Sequence, residues 1–192
     1  MPGELYLIRH GETEWSRDLR HTSRTDVPLT EEGQSRARAL GALLAGRKFA
    51  LVLASPMQRA IETCRLCGYE PATDGDLREW DYGAYEGRTT AEIQRERPGW
   101  TIWNGTPLDG ESSADVSARA DRILARALAC GGDAALFGHG HMSRVIAARW
   151  LGLEADGGRL LALSTGSLSM LGWERDTRVI KLWNQVAQNQ TP

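Results

Sequence analysis

The chain has 192 residues and a formal net charge of −2, long enough to bury a sizeable core within a single domain, 1–192. This balance argues against a general nucleic-acid or membrane-surface binder, so any positive field must be local, made by a few arginines in a cleft. No run of about 18 apolar residues is present to span a bilayer. No charged-then-apolar start resembles a signal peptide, so a cytoplasmic protein is expected.

In chain order, Leu5-Tyr6-Leu7-Ile8 predicts a buried strand that runs into Arg9-His10-Gly11-Glu12-Thr13. Thr30 followed by Glu31 and Glu32 predicts a helix start with acid groups at the positive end of the dipole. Ala37, Leu40, Gly41 and Leu44 form its apolar face, and Gly46 closes it. Leu51-Val52-Leu53-Ala54 predicts a second strand, ending in Ser55-Pro56, with Arg59 in the first turn of the next helix. Cys64 and Cys67 have C-x-x-C spacing, but no second pair exists and the helical pattern continues through them. They are expected as small packing residues, and with Cys130 the odd count gives no hint of a disulfide framework.

Residues 68–110 differ in character, with scattered glycines, prolines and aromatics around a short helix near Thr90 to Arg97. This segment is expected as a cap over the cleft edge, where loops carry substrate choice. Singly, Trp80, Tyr82, Trp100 and Trp103 are expected to pack the cap onto the sheet; together they would form a wall facing a sugar. Ser112 with Asp115 resembles a capping box ahead of the stripe Val116, Ala120, Ile123, Leu124, Ala127 and Leu128. Ala134-Ala135-Leu136-Phe137 predicts a third strand, ending in Gly138-His139-Gly140-His141 and followed by a helix from Met142 to Leu151. Further strands are predicted at Leu160 to Leu163, Ser167 to Trp173 and Val179 to Val186, the last two joined near Arg175-Asp176-Thr177. Asn184 to Pro192 is polar and expected to fray at its end.

Three predicted strands thus each deliver a cationic or imidazole side chain just past their carboxyl ends. If they are parallel neighbours, Arg9, His10, Arg59 and His139 converge in one crevice, with helix N-termini adding backbone N–H donors. Three of the four histidines lie in these strand-end motifs. A guanidinium beside an imidazole suits an anionic substrate and a nucleophilic nitrogen, and a phosphoryl group is the expected guest. The expected fold is a three-layer α/β/α sandwich with a mainly parallel central sheet and a small cap.

At these residues the sequence resembles the histidine phosphatase superfamily, which includes the cofactor-dependent phosphoglycerate mutases. The resemblance runs through Arg9-His10-Gly11-Glu12-Thr13-Glu14-Trp15, Pro28-Leu29-Thr30-Glu31-Glu32-Gly33, Ser55-Pro56-Met57-Gln58-Arg59-Ala60-Ile61-Glu62-Thr63 and Gly138-His139-Gly140, covering nearly the whole chain. Asp76-Leu77-Arg78-Glu79-Trp80-Asp81-Tyr82-Gly83-Ala84-Tyr85-Glu86-Gly87 is most similar to the small branch of broad-specificity acid phosphatases and sugar bisphosphatases.

The resemblance implies a metal-independent, cofactor-free phosphatase acting on a small phosphorylated metabolite through a phosphohistidine on His10. Arg9, Arg59 and His139 would hold the phosphoryl oxygens. Glu79 is carried over from the family's equivalent loop as the general acid and base, with its proton retained by desolvation under the aromatic cap; Asp81 and Glu12 are its rivals. Thr13, Trp15, Ser16, Thr22 and Ser23 match a loop that lines the family's substrate site, and Tyr82 and Gly140 fall within the matching motifs. Ser16 departs from the asparagine often found there, so one phosphate contact would be shorter-ranged or water-mediated. His21 and Arg24 either meet a second anionic group or are ordinary loop polarity, and His141 is a cleft-rim or helix-start residue. A phosphoglycerate mutase is the alternative, disfavoured by the short separation of Glu79 from Glu111 and by the wording around Trp80. A zinc site on His10, His139 and His141 is disfavoured by the two arginines. A binding module without chemistry is disfavoured by the complete residue set. Neither nucleic acid nor membrane is expected as a partner, and pairing of the late strands at a homodimer edge stays open.

Overall fold

The computed structural model describes residues 3–187. In chain order the elements are β1 (Leu5–Arg9), α1 (Glu14–Arg17), α2 (Glu31–Leu44), β2 (Leu51–Ala54), α3 (Gln58–Leu66), β3 (Ala72–Thr73), α4 (Thr90–Glu96), α5 (Ser113–Ala129), β4 (Ala134–Gly138), α6 (Gly140–Trp150), β5 (Ser167–Glu174) and β6 (Thr177–Val186). The strands form one six-stranded sheet in the order β3-β2-β4-β1-β5-β6. β1, β2, β3 and β4 run parallel, and β5 and β6 add an antiparallel pair beside β1. This is an α/β fold with a mixed, mostly parallel sheet.

Two-residue alternation sorts the apolar strand residues onto opposite faces. Tyr6, Ile8, Ala54, Ala135 and Phe137 pack with Leu40, Leu44 and Cys64 of α2 and α3. Leu5, Leu7, Leu53 and Leu136 pack with α5, α6 and the aromatics Trp80, Tyr82, Tyr85 and Trp100. Both faces of the central strands are covered, which is why β1 and β4 are continuous apolar runs.

The predicted helix starts at Thr30 and Ser112 are observed. The Thr30 hydroxyl accepts the Gly33 N–H at 3.0 Å, and Ser112 and Asp115 form a reciprocal capping box. Gly11 and Gly33 lie backbone against backbone: a Cβ on Gly11 would stand 2.3 Å from the Gly33 carbonyl oxygen. That contact ties the loop after β1 to the start of α2.

The strand expected at Leu160 to Leu163 is not formed. Ala155–Leu160 is a 3₁₀ stretch, and its continuation finds side-chain partners in place of a ladder. The Ala162 carbonyl accepts Trp183 Nε1 at 2.6 Å, the Leu163 carbonyl accepts Arg9 Nη1, and the Ser164 N–H donates to Asn184 Oδ1 at 2.7 Å. The strand expected at Val179 to Val186 is formed as β6, starting two residues earlier at Thr177, and the end of the tail expected to fray, 188–192, lies outside the described residues. α6 begins two residues before the predicted Met142, at Gly140. Cys64, Cys67 and Cys130 are free thiols, and burial raises Cys64 well above the usual thiol range and Cys67 to about 12, so neither offers a thiolate.

Candidate active site

The carboxyl ends of β2, β4 and β1 lie side by side, and the side chains that follow them meet there. His10 continues the ladder through its N–H to the Gly138 carbonyl at 3.0 Å. Its Nδ1 lies 2.7 Å from the Gly11 carbonyl oxygen, which can only accept, so Nδ1 carries the proton and Nε2 the lone pair. The ring stands edge-on to that of His139, with centroids 5.2 Å apart.

Arg9 donates Nη1 to the Leu163 carbonyl, and Gly140 leaves room for the guanidinium: a Cβ there would lie 3.1 Å from Arg9 Cζ. Arg59, fully buried in the first turn of α3, donates to the carbonyls of Thr25 at 3.0 Å and of Thr22 and Ser23 at 3.4 Å. His139, the residue before α6, places Nε2 2.8 Å from Ser55 Oγ. Arg9 Nε, Arg59 Nε and His139 Nδ1 are buried without any partner, a rare condition for polar atoms and one that an incoming anion would relieve.

Glu79 is nearly buried, and its carboxylate accepts three backbone N–H groups: Trp80 at 2.9 Å and Met142 at 2.8 Å on Oε1, His141 at 3.0 Å on Oε2. Two of these belong to the first turn of α6, so Glu79 caps a helix whose N-cap residue His139 makes no side-chain capping bond. The loop is buttressed by Arg119, which reaches the carbonyls of Asp76 and Arg78 at 2.8 Å and Glu111 at 2.6 Å. The two rival carboxylates are engaged elsewhere: Asp81 pairs with Arg24 at 2.7 Å, and Glu12 accepts the Thr30 hydroxyl at 3.0 Å.

A cavity of about 640 Å³ is lined by Arg9, His10, Thr13, Ser16, Thr22, Glu79, Tyr82 and Gly140 among others. Thr13 is buried as the N-cap of α1, and the Ser16 hydroxyl is engaged within that capping box, accepting Thr13 N–H and donating to Thr13 C=O at 2.9 Å. The Thr22 hydroxyl donates to the Arg20 carbonyl at 3.0 Å. Ser23 borders a neighbouring cavity instead, its hydroxyl 2.6 Å from Glu86, whose carboxylate also takes the Ser23 and Thr25 N–H groups. Tyr82 is buried with its hydroxyl 2.6 Å from His141 Nδ1. His21 and His141 also line the cavity, whereas Trp15 packs over Gly87 and Arg24 faces outward to Asp81. Sequence reasoning did not single out Ser55, Glu86, Arg119 or Arg144. The last lies five residues beyond His139 on α6 and lines the cavity.

Burial keeps all four imidazoles uncharged. It pushes His10, His139 and His141 well below the usual 6.5 and His21 to about 4, and at His10 the Arg59 and Arg9 guanidiniums add repulsion. In the unfolded chain these rings take up protons near 6.5, so below that pH the unfolded state binds more protons. Their stabilising contribution is therefore present above 6.5 and lost as the pH falls towards the folded-state values. Calorimetric scans should show Tm dropping between about pH 7 and about pH 5. A flat Tm across that window contradicts buried, neutral rings.

The sequence model of the histidine phosphatase superfamily (branch 1) matches residues 5–186. An acid phosphatase of Mycobacterium tuberculosis is 41% identical over 180 residues, which span 91% of this chain and 88% of that protein. A sedoheptulose 1,7-bisphosphatase of Saccharomyces cerevisiae is 32% identical over 77% of this chain and 67% of that protein. The solved structure of an open reading frame of Mycobacterium tuberculosis superimposes with a TM-score of 0.93 at 37% identity, covering 97% of this chain and 99% of that chain. Among the described residues no helix is long and apolar enough to cross a membrane.

Proposed function

This chain is a member of the histidine phosphatase superfamily, branch 1, and from that premise we propose that it hydrolyses small phosphate monoesters, sugar phosphates foremost, by way of a phosphohistidine on His10. The observation that carries this reading is the environment of His10: a neutral ring anchored through Nδ1, beside three buried nitrogens that lack partners. Nε2 attacks phosphorus in line as the bond to the leaving oxygen breaks, and Arg9, Arg59 and His139 hold the equatorial oxygens as their charge spreads. Glu79 passes a proton to the departing alkoxide. The resulting carboxylate takes a proton from water as that water attacks the phosphohistidine, the N–P bond breaks, and inorganic phosphate leaves with His10 neutral again. Because His10 resists protonation, activity extends into acid. Residues 68–110, through Tyr82 and the α4 residues Thr90 and Gln94, form the wall against which the leaving alcohol rests.

A phosphate-release screen over metabolite esters, run with and without excess chelator, tests the reaction class. Release unaffected by chelator is expected. Isomerisation of phosphoglycerate dependent on bisphosphoglycerate, without phosphate release, would replace hydrolysis with transfer. Glu79→Gln should lower kcat/KM, which reports the step that expels the alcohol, by about 10²-fold on an alkyl phosphate and far less on p-nitrophenyl phosphate, whose leaving group needs no proton. Equal losses on both esters would remove Glu79 from the acid role.

A further inference from the structure

His141 and Arg144 lie three residues apart on α6, so they share a helix face, and both line the cavity. The Arg144 guanidinium stands 4.6 Å from the centre of the Trp103 ring; Nε donates to the Gly158 carbonyl at 2.9 Å and Nη2 to the Arg159 carbonyl at 3.3 Å. Both acceptors are uncharged. Among the described residues no carboxylate forms an ion pair with Arg144, and Nη1 has no hydrogen-bond partner. The opposite charge acting on this half-buried cation is that of Glu79, which lines the same cavity without an ion-pair contact, and stacking on an aromatic face offsets only part of the cost of burying it.

Beside Glu79, the cavity wall near this guanidinium offers uncharged polar groups. His21 is held by Thr90 at 3.2 Å and Tyr82 by His141 at 2.6 Å, and both imidazoles are uncharged. These groups suit hydroxyls and carry no charge to meet an anion. The other cation lining the cavity beyond the reaction centre, Arg20, is an exposed side chain that donates to the Gly87 carbonyl at 3.1 Å. Arg24 lines the neighbouring cavity and is paired with Asp81.

We infer that Arg144 is a specificity-determining residue: it binds a second anionic group, a carboxylate or phosphate, carried by the leaving alcohol of the substrate. The inference rests on the phosphomonoester reading above and names its substrate class, a hydroxylated chain with an anion at each end. Arg144 lies on α6 five residues after His139, the N-cap of that helix, about 7 Å along its axis. A short carbon chain spans that distance. The competing role is structural, a clamp from α6 to the 3₁₀ stretch through the Gly158 and Arg159 carbonyls.

The test measures binding by calorimetry with two non-hydrolysable phosphonates, identical except that one ends in a carboxylate and the other in a carboxamide. The wild type should favour the carboxylate by about 30-fold. In Arg144→Met the ratio should fall below about 3-fold, with the carboxamide bound as before, and Arg20→Met should keep the wild-type ratio. Arg144→Gln, which retains an amide donor towards Gly158, should lose the ratio as well, and circular dichroism checks that each variant is folded. An unchanged ratio in a folded Arg144 variant, a ratio lost in Arg20→Met alone, or failure of both phosphonates to bind the wild type overturns the assignment. Turnover plays no part in this readout. Absence of phosphate release from every ester would sink the phosphatase reading and leave the ratio to decide Arg144.

Discussion

Replacing His10 by alanine is expected to lower phosphate release by at least about 10³-fold while the protein stays folded. The size follows from the lack of a substitute nucleophile. The nearest ring, His139, has Nε2 against Ser55 Oγ, and His141 has Nδ1 against the Tyr82 hydroxyl. The fold should tolerate the change, because the lost side chain is neutral and its one intramolecular bond is to the adjacent carbonyl of Gly11. Rates should be followed on an aryl and an alkyl phosphate alongside near-ultraviolet circular dichroism. Turnover within about tenfold of wild type from a folded variant would mean that water or another group attacks phosphorus directly.

Arg59→Met should cost about 10³-fold in kcat/KM and also about 2 kcal/mol of stability. Its terminal nitrogens hold the Thr22, Ser23 and Thr25 carbonyls, while Nε is buried without a partner next to His10 and His139. One guanidinium thus shapes the loop after His21 and keeps an N–H donor for the substrate. Lysine cannot replace it, since a single ammonium does not reproduce the planar fork, so Arg59→Lys should recover little activity. Denaturant titration with steady-state kinetics checks both halves. A loss of stability without loss of activity would confine Arg59 to loop anchoring.

The sheet and the strand-end residues were legible because their signals are local. Leu5–Ile8 and Ala134–Phe137 are unbroken apolar runs that only strands covered on both faces require, and Arg9-His10 and His139 follow them directly. The helix starts at Thr30 and Ser112 carried their caps within four residues. Glu79 stood out only by resemblance, because two of the groups that hold it, the amides of His141 and Met142, lie more than sixty residues further along the chain. The same long range hid the start of α6, capped by that distant carboxylate. Leu160–Leu163 has the composition of a strand, but Arg9, Trp183 and Asn184 take over backbone groups in and next to it. Sequence reasoning named Arg24 as one candidate for a second anionic group and passed over Arg144. Only the fold pairs the first with Asp81 and leaves the second facing the cavity over Trp103.

The central claim is that phosphorus changes hands twice, first to the His10 ring and then to water. The stereochemical course at phosphorus tests it most directly, using a monoester made chiral by isotopic oxygen and sulfur and hydrolysed in isotopically labelled water. Two in-line displacements predict retention of configuration, whether or not the intermediate accumulates. Inversion would mean a single direct attack by water and would contradict a covalent role for His10.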